Sequence, residues 1–211
     1  PSESLDRRAL EAHQAGRLER LLASIWGHNP FYTEKLKSAG IALGALRRLE
    51  DLGKLPFTVK GELVADQAAY PPFGTKYTEP IENYTRYCQT SSTTGSPLRW
   101  LDTNESWQWV LECWKAVFRG ARVTNGDRIF FPFSFGPFLG FWSAFEAGTQ
   151  IGAHCIPGGG MSSQVRLELI RSTGATVVCC TPTYALWLAE IAAKDEASSG
   201  KLSESSVRVL I

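Results

Sequence analysis

An α/β fold with a largely parallel sheet and covering helices, preceded by a helical N-terminal segment, is predicted by three features of this 211-residue chain. After residue 75, short apolar runs alternate with helix-length segments, the pattern of successive strand–helix–strand units. Gly, Pro, Asn and Ser punctuate the junctions between them. Before residue 75 the patterning is mostly helical, and Tyr70-Pro71-Pro72-Phe73-Gly74 is the best internal boundary. The expected organisation is a helical lead-in over 1–74 and an α/β body over 75–211.

Residues 3–27 read as an amphipathic helix, with Leu5, Ala9, Ala12, Leu18, Leu21, Leu22 and Ile25 near helical spacing. His28-Asn29-Pro30 breaks it, and a second helix runs to about Ser38. Leu55-Pro56-Phe57 is a short extended piece ahead of another short helix. The body opens on two strand-like runs, Tyr84 to Gln89 and Leu98 to Leu101, joined by a hydroxyl-rich turn. Asp102 followed by Glu105 is a helix-start signature. The helix it opens carries Trp107, Val110, Leu111, Trp114, Val117 and Phe118 on one core-facing stripe. Thr124-Asn125-Gly126-Asp127 then turns the chain into a strand over 128–133, and a helix covers about 138–147. A strand over 151–156, a helix over 162–172 and a strand over 175–180 follow. Thr181-Pro182 supplies an N-cap and a proline at the first helical position for a helix reaching about Ala193. Residues 194–206 are polar and loop-like, and 207–211 form a last apolar strand.

Composition narrows the function classes. Lys+Arg 22 against Asp+Glu 21 gives a net charge of +1, so there is no global electrostatic case for nucleic acid or an anionic membrane as partner. The longest uncharged run, Ile129 to Phe145, is interrupted by Pro132, Gly136, Pro137 and Gly140 and falls short of the ~20 residues of a spanning helix. The charged, polar start carries no signal peptide, and a cytoplasmic location is expected. Five cysteines (Cys88, Cys113, Cys155, Cys179 and Cys180) show no CxxC spacing and read as reduced thiols without a disulfide. A zinc site from His154, Cys155 and Cys88 is the alternative, against the spacing of structural sites. The chain begins at Pro1 and stops inside an apolar run at Ile211, so a fragment prone to self-association is expected.

Three stretches could carry chemistry. In Thr90-Ser91-Ser92-Thr93-Thr94-Gly95-Ser96-Pro97, five consecutive hydroxyl side chains precede a glycine. Such a turn offers hydroxyl and backbone N–H donors to an anion, typically phosphate, although Ser, Thr, Gly and Pro also build plain hairpin loops. Pro157-Gly158-Gly159-Gly160 follows a strand and opens a helix. It is a tight strand-to-helix turn or a phosphate-receiving helix N-terminus, without the G-x-G-x-x-G spacing. Phe130-Phe131-Pro132-Phe133-Ser134-Phe135-Gly136-Pro137-Phe138 is aromatic at a strand end, where it either walls an apolar substrate or packs the core. Neither a G-x-S-x-G elbow, a GxxxxGK[ST] loop nor an HExxH pair is present, so hydrolase and metalloprotease readings have no support.

In this order the pieces resemble the N-terminal half of the phenylacetate–CoA ligase family, a branch of the adenylate-forming enzymes. Residues 90–97, TSSTTGSP, lie over that family's phosphate loop, usually written SSGTTGxP. Asn29-Pro30-Phe31-Tyr32 matches its early N-x-P-F-Y step, and Asp51 to Thr58 (DLGKLPFT) matches its D-L-x-x-L-P-F-T. Cys179-Cys180-Thr181-Pro182-Thr183-Tyr184-Ala185 matches a C-T-P-x-Y-A segment. The resemblance spans nearly the whole chain and implies part of the N-terminal domain of the adenylate-forming fold.

Such enzymes join a carboxylic acid to ATP, release pyrophosphate, and pass the acyl group from the adenylate to coenzyme A, usually with Mg²⁺. By resemblance, Ser91, Ser92, Thr93, Thr94, Gly95 and Ser96 bind the nucleotide phosphates. Phe133, Phe135, Gly136 and Phe138 line the acyl pocket, and their rings suit an aromatic acid better than a long polar one. No catalytic residue and no protein metal ligand is assigned, because the adenine and ribose motifs and the mobile C-terminal domain of such enzymes lie outside this segment. The fragment alone is therefore expected to be inactive. Two departures stand out: the usual loop glycine is Ser92, and the lysine of many relatives is Ser96, with Arg99 a nearby cation. They favour a non-catalytic binding or assembly module as one rival. An adenylating enzyme with a carrier-protein or amine acceptor is the other.

Overall fold

Helices dominate the first hundred residues of the computed structural model, which describes residues 4–46, 48–91, 95–194 and 204–211. The chain packs as two compact units, Pro1–Leu101 and Asp102–Ile211. The boundary read at residue 74 marks a change in composition, whereas the division by packing falls after Leu101.

In the first unit, α1 (Arg7–Ile25) starts at Asp6, whose carboxylate accepts from Ala9 N at 2.8 Å. No residue of α1 is fully buried, but Ala15, Leu18, Leu22 and Ile25 are half-buried along one stripe of the expected amphipathic helix, while Leu21 is 57% exposed. The second helix, α2 (Pro30–Ser38), is capped by the buried Asn29, whose Oδ1 accepts from Tyr32 N at 3.0 Å. Asn29 Nδ2 donates to Lys76 O at 3.0 Å and to Thr78 Oγ1 at 3.2 Å, tying the cap to a segment far along the chain. A 3₁₀ helix (Leu49–Lys54) then leads to α3 (Lys60–Ala69), which buries Leu63 and Gln67 one turn apart. Strands β1 (Tyr84–Gln89) and β2 (Arg99–Thr103) form a two-stranded sheet.

The second unit is the α/β body. Its first helix, α4 (Asn104–Gly120), is capped by Thr103, which accepts from Ser106 N at 3.1 Å. The Asp102–Glu105 start is thus displaced by one residue, and Asp102 instead accepts from Ser106 Oγ at 2.8 Å. Trp107, Leu111 and Phe118 bury the expected stripe, but Val117 is 46% exposed, so the stripe is narrower than the spacing suggests. Then come β3 (Arg128–Phe131), α5 (Leu139–Gln150), β4 (His154–Pro157), α6 (Ser163–Ser172), β5 (Val177–Val178), α7 (Pro182–Lys194) and β6 (Val209–Leu210).

The four strands run parallel in the order β4-β3-β5-β6. Ile129 is in register with Cys155 on one side and Val177 on the other, and Val178 with Leu210 at the far edge. Side chains alternate across this sheet. Phe130, Ile156 and Val178 meet Leu167 and Ile170 of α6 and Leu188 and Ala192 of α7 on one face. Phe131 meets Phe145 of α5 on the other, at 5.2 Å between ring centroids. There Gly148 lets α5 lie close, because a Cβ on it would fall 2.7 Å from Cys155 Sγ and 3.3 Å from Ile129 Cδ1.

One polar network fastens the strand starts. Buried Asp127 accepts from Thr124 N at 2.8 Å, Thr176 Oγ1 at 2.7 Å, and Arg208 through Nε at 3.2 Å and Nη2 at 2.7 Å. Burial works against the carboxylate, but the bonds from Arg208, Thr124 and Thr176 outweigh it and bring the pKa down to about 2.

The strand order also contains a topological switch point. The connection from β3 runs to β4 on one side, and that from β5 runs to β6 on the other. Adjacent strands whose connections diverge open a crevice beyond their C-terminal ends. The loops bordering it are 132–138 after β3 and 179–181 after β5.

Candidate functional site

The hydroxyl loop of the first unit is secured at its root. Thr90 N donates to Leu98 O at 2.9 Å, and Leu98 N donates back to Thr90 Oγ1 at 3.1 Å. Beneath this pair, Gln67 of α3 holds both sides of Leu98: its Nε2 donates to Pro97 O at 3.0 Å and its Oε1 accepts from Arg99 N at 2.8 Å. The preceding residue, Asp66, holds the 70–75 turn by accepting from Thr75 N at 2.7 Å and Thr75 Oγ1 at 2.6 Å. That turn requires glycine at 74: φ is +86°, and a Cβ would lie 2.1 Å from Asp66 Oδ2. Two successive side chains of one helix therefore fix the turn and the end of the hydroxyl loop.

Ser91, Gly95 and Ser96 are exposed on the loop, and Gly95 has φ +120° with open space where a Cβ would sit. Ser92, Thr93 and Thr94 lie outside the described residues. Exposed serine hydroxyls on an anchored root are donors of the kind that phosphate oxygens accept. Arg99 is anchored through Nη1, which donates to Pro72 O at 2.9 Å. Below the strands, Lys76 is buried, donates to Phe73 O at 2.7 Å and lies 5.3 Å from the Trp100 ring centroid. Burial lowers its pKa against the opposing pull of Asp66.

The aromatic loop of the second unit is built by ring packing. Phe133 stacks on Phe141 at 4.1 Å and 21°, and Phe135 meets Phe145 at 5.2 Å and Trp142 at 4.9 Å. Phe138 meets Phe141 edge-on at 5.8 Å. All three predicted phenylalanines are half-buried, so they both pack on α5 and retain accessible surface. A Cβ on Gly136 would fall 2.9 Å from the Phe138 ring, and the Gly136 carbonyl accepts from Trp142 Nε1 at 3.0 Å. Trp142 is a loop-positioning residue that the sequence pattern hides, being one more apolar residue in a helix.

The glycines after β4 serve close packing. A Cβ on Gly158 would lie 2.6 Å from the Phe130 ring, and one on Gly159 would lie 3.2 Å from Phe133 O. This agrees with the tight-turn reading of residues 157–160. Burial raises Cys155 to about 11 and Cys179 to about 12, so both are neutral thiols at pH 7, and none of the five cysteines is in a disulfide. Among the described residues no group of three or more His, Cys, Asp or Glu side chains is placed to hold a metal, and no helix is long and apolar enough to cross a membrane.

No family model matches the chain. It is 31% identical over 201 residues to a phenylacetate–CoA ligase of Thermus thermophilus, an alignment covering 95% of this chain and 44% of that protein. A phenylacetate–CoA ligase of Pseudomonas putida is 30% identical over 191 residues, covering 90% of this chain and 42% of the relative. The chain thus spans less than half the length of the curated relatives it matches. Among solved structures, a 2-hydroxyisobutyryl-CoA ligase in complex with 2-HIB-AMP and CoA, in the thioesterification state, superimposes with a TM-score of 0.85 at 26% identity. That match covers 92% of this chain and 41% of the ligase. The fold is therefore part of that of the adenylate-forming ligases.

Proposed function

We propose that this chain, related along nearly its whole length to the phenylacetate–CoA ligases, is the N-terminal part of an ATP-dependent acyl- or aryl-CoA ligase. One observation carries the reading: the hydroxyl loop is rigidly rooted by Thr90, Leu98 and Gln67 while Ser91 and Ser96 stay exposed.

When bound, ATP supplies an electrophilic phosphorus and a pyrophosphate leaving group. The Ser91 and Ser96 hydroxyls and the backbone at Gly95 would orient the phosphates, with Ser92, Thr93 and Thr94 assigned the same role from the sequence. A fixed root matters because donors already aimed at the phosphates need no reorganisation as charge shifts in the reaction. Mg²⁺, in this reading, is held chiefly by the phosphates themselves. The half-buried rings of Phe133, Phe135 and Phe138 would bind the body of a small carboxylic acid, with aromatic acids preferred. Coenzyme A would accept the acyl group, as the substrate of a cytoplasmic enzyme.

The chain alone would lack catalysis. A second reading, a non-catalytic binding module on this fold, is favoured by Ser96 in place of a lysine together with an Arg99 already anchored on Pro72. Pyrophosphate release by the ligase that carries this chain, across aryl and alkyl acids with and without CoA, separates the two. Acid-dependent release with CoA consumed supports the ligase. Release that leaves CoA untouched points to an amine or carrier-protein acceptor, and silence from a folded protein supports the module.

A further inference from the structure

The glycine turn after β4 lies against the end of β3 and the start of the aromatic loop. Gly158 N donates to Phe131 O at 2.9 Å, and a Cβ on Gly159 would lie 3.2 Å from Phe133 O and 3.5 Å from Ser134 Cα. Glycine at 159 lets the turn pack close to the backbone of residues 133–135.

The turn is in turn held by a side chain. Arg166 of α6 donates through Nε to Gly158 O at 2.8 Å and through Nη1 to the Tyr184 hydroxyl at 2.6 Å. Its guanidinium lies 5.2 Å from the Tyr184 ring centroid, and Ser163 Oγ is 3.0 Å from the same hydroxyl. Both hydrogen-bond partners of Arg166 are neutral oxygens, a carbonyl and a phenol. Charge-assisted bonds of this kind are strong and directional, and the planar guanidinium fixes the angle between them. Across the loop, Trp142 Nε1 grips Gly136 O at 3.0 Å. The aromatic loop is thus gripped at one carbonyl by α5 and backed by a turn that a polar clamp holds.

We propose that Arg166 and Tyr184 form a positioning brace for the 132–138 loop, setting how closely the acid fits. The link to the acid rests on the acyl-pocket reading above; the brace itself does not. Tyr184 belongs to the C-T-P-x-Y-A segment, so the brace gives that tyrosine a physical task beyond opening α7.

Two measurements test it. Amide exchange on this chain reads the brace without any activity: Arg166→Met and Tyr184→Phe should each speed exchange at Phe133, Gly136 and Phe138 about tenfold. The amides of Val123 and Ile151, which close the ends of α4 and α5, should be unchanged. Tyr184→Phe keeps the ring and so keeps the test alive if Arg166→Met does not fold. Loop exchange unchanged in the folded variants would overturn the brace. In the ligase that carries this chain, each variant should raise KM for an aryl acid about tenfold and leave KM for ATP within about twofold. The double variant should be no worse than either single one. If both KM values move together with the melting temperature, the role is merely structural and the proposal fails. If the unmodified ligase releases no pyrophosphate with any acid, the ligase reading fails, and amide exchange still decides the brace.

Discussion

The two candidate binding loops are stabilised by opposite means. The hydroxyl loop of the first unit hangs from a polar root, Thr90, Leu98 and Gln67, with its described serines in solvent. The aromatic loop of the second unit is held by its own rings against α5, with few polar contacts beyond Trp142 at Gly136. The difference follows from what each would bind. Phosphate oxygens need donors kept solvated until the ligand arrives, so order must come from below the loop. An apolar acid needs a dry wall, which ring packing supplies directly. Substitutions should therefore separate the two loops by ligand as well as by stability.

The largest expected effect tests the packed side. Gly158→Val places carbon where the Phe130 ring and Phe131 O already lie, and should destabilise the second unit by about 3 kcal/mol in denaturant melts. Retention of full stability would show that the turn has room to yield. Next is the polar root: Gln67→Leu strands a carbonyl at Pro97 and an amide at Arg99, at about 2 kcal/mol. In the ligase it should raise KM for ATP about tenfold with the acid KM unchanged.

Comparable in size is the pH response of the second unit. Asp127 has a folded pKa of about 2 against an ordinary value of 3.8, so its folded state favours the carboxylate. That stabilisation, about 2 kcal/mol, is fully present above pH ~4 and lost as pH falls through about 2. Asp127→Asn should accordingly be less stable than the parent at pH 6, with the gap constant down to about pH 4 and narrowing from there towards pH 2. A gap independent of pH would contradict the linkage.

How much of this was legible in the sequence differs between the loops. Every strand and helix of the second unit lies near its expected span, because apolar runs such as Ile129-Phe130-Phe131 and the Thr181-Pro182 cap are local signals. The strands proved shorter, β5 being Val177–Val178 within an expected 175–180, although Thr176 and Cys179 still donate to β3 and Cys180 to Ile211 just past β6. In the first unit the hydroxyl loop was plain and its anchor was not. Gln67 bonds to residues about thirty positions away. Its one local trace is a polar residue on the buried face of α3, one turn after Leu63. Asn29 behaves the same way: its capping role is local, while its bonds to Lys76 and Thr78 are not. Long-range polar contacts leave no periodicity to read.

Smaller changes sharpen the contrast. Phe135→Leu removes ring contacts with Phe145 and Trp142 and should cost about 1 kcal/mol, with KM rising several-fold for aryl acids and little for alkyl acids. Ser96→Lys returns a cation to the hydroxyl loop and should lower KM for ATP about threefold, an effect that fades with salt.

Acid-dependent exchange of labelled pyrophosphate into ATP, run on the ligase that carries this chain and on its Gln67→Leu and Phe135→Leu variants, is the most direct test of this division of labour. Exchange that requires an acid, with the first variant weakened towards ATP alone and the second towards the acid alone, is the predicted result. Absence of exchange with every acid, or both variants shifting the same KM, would contradict it.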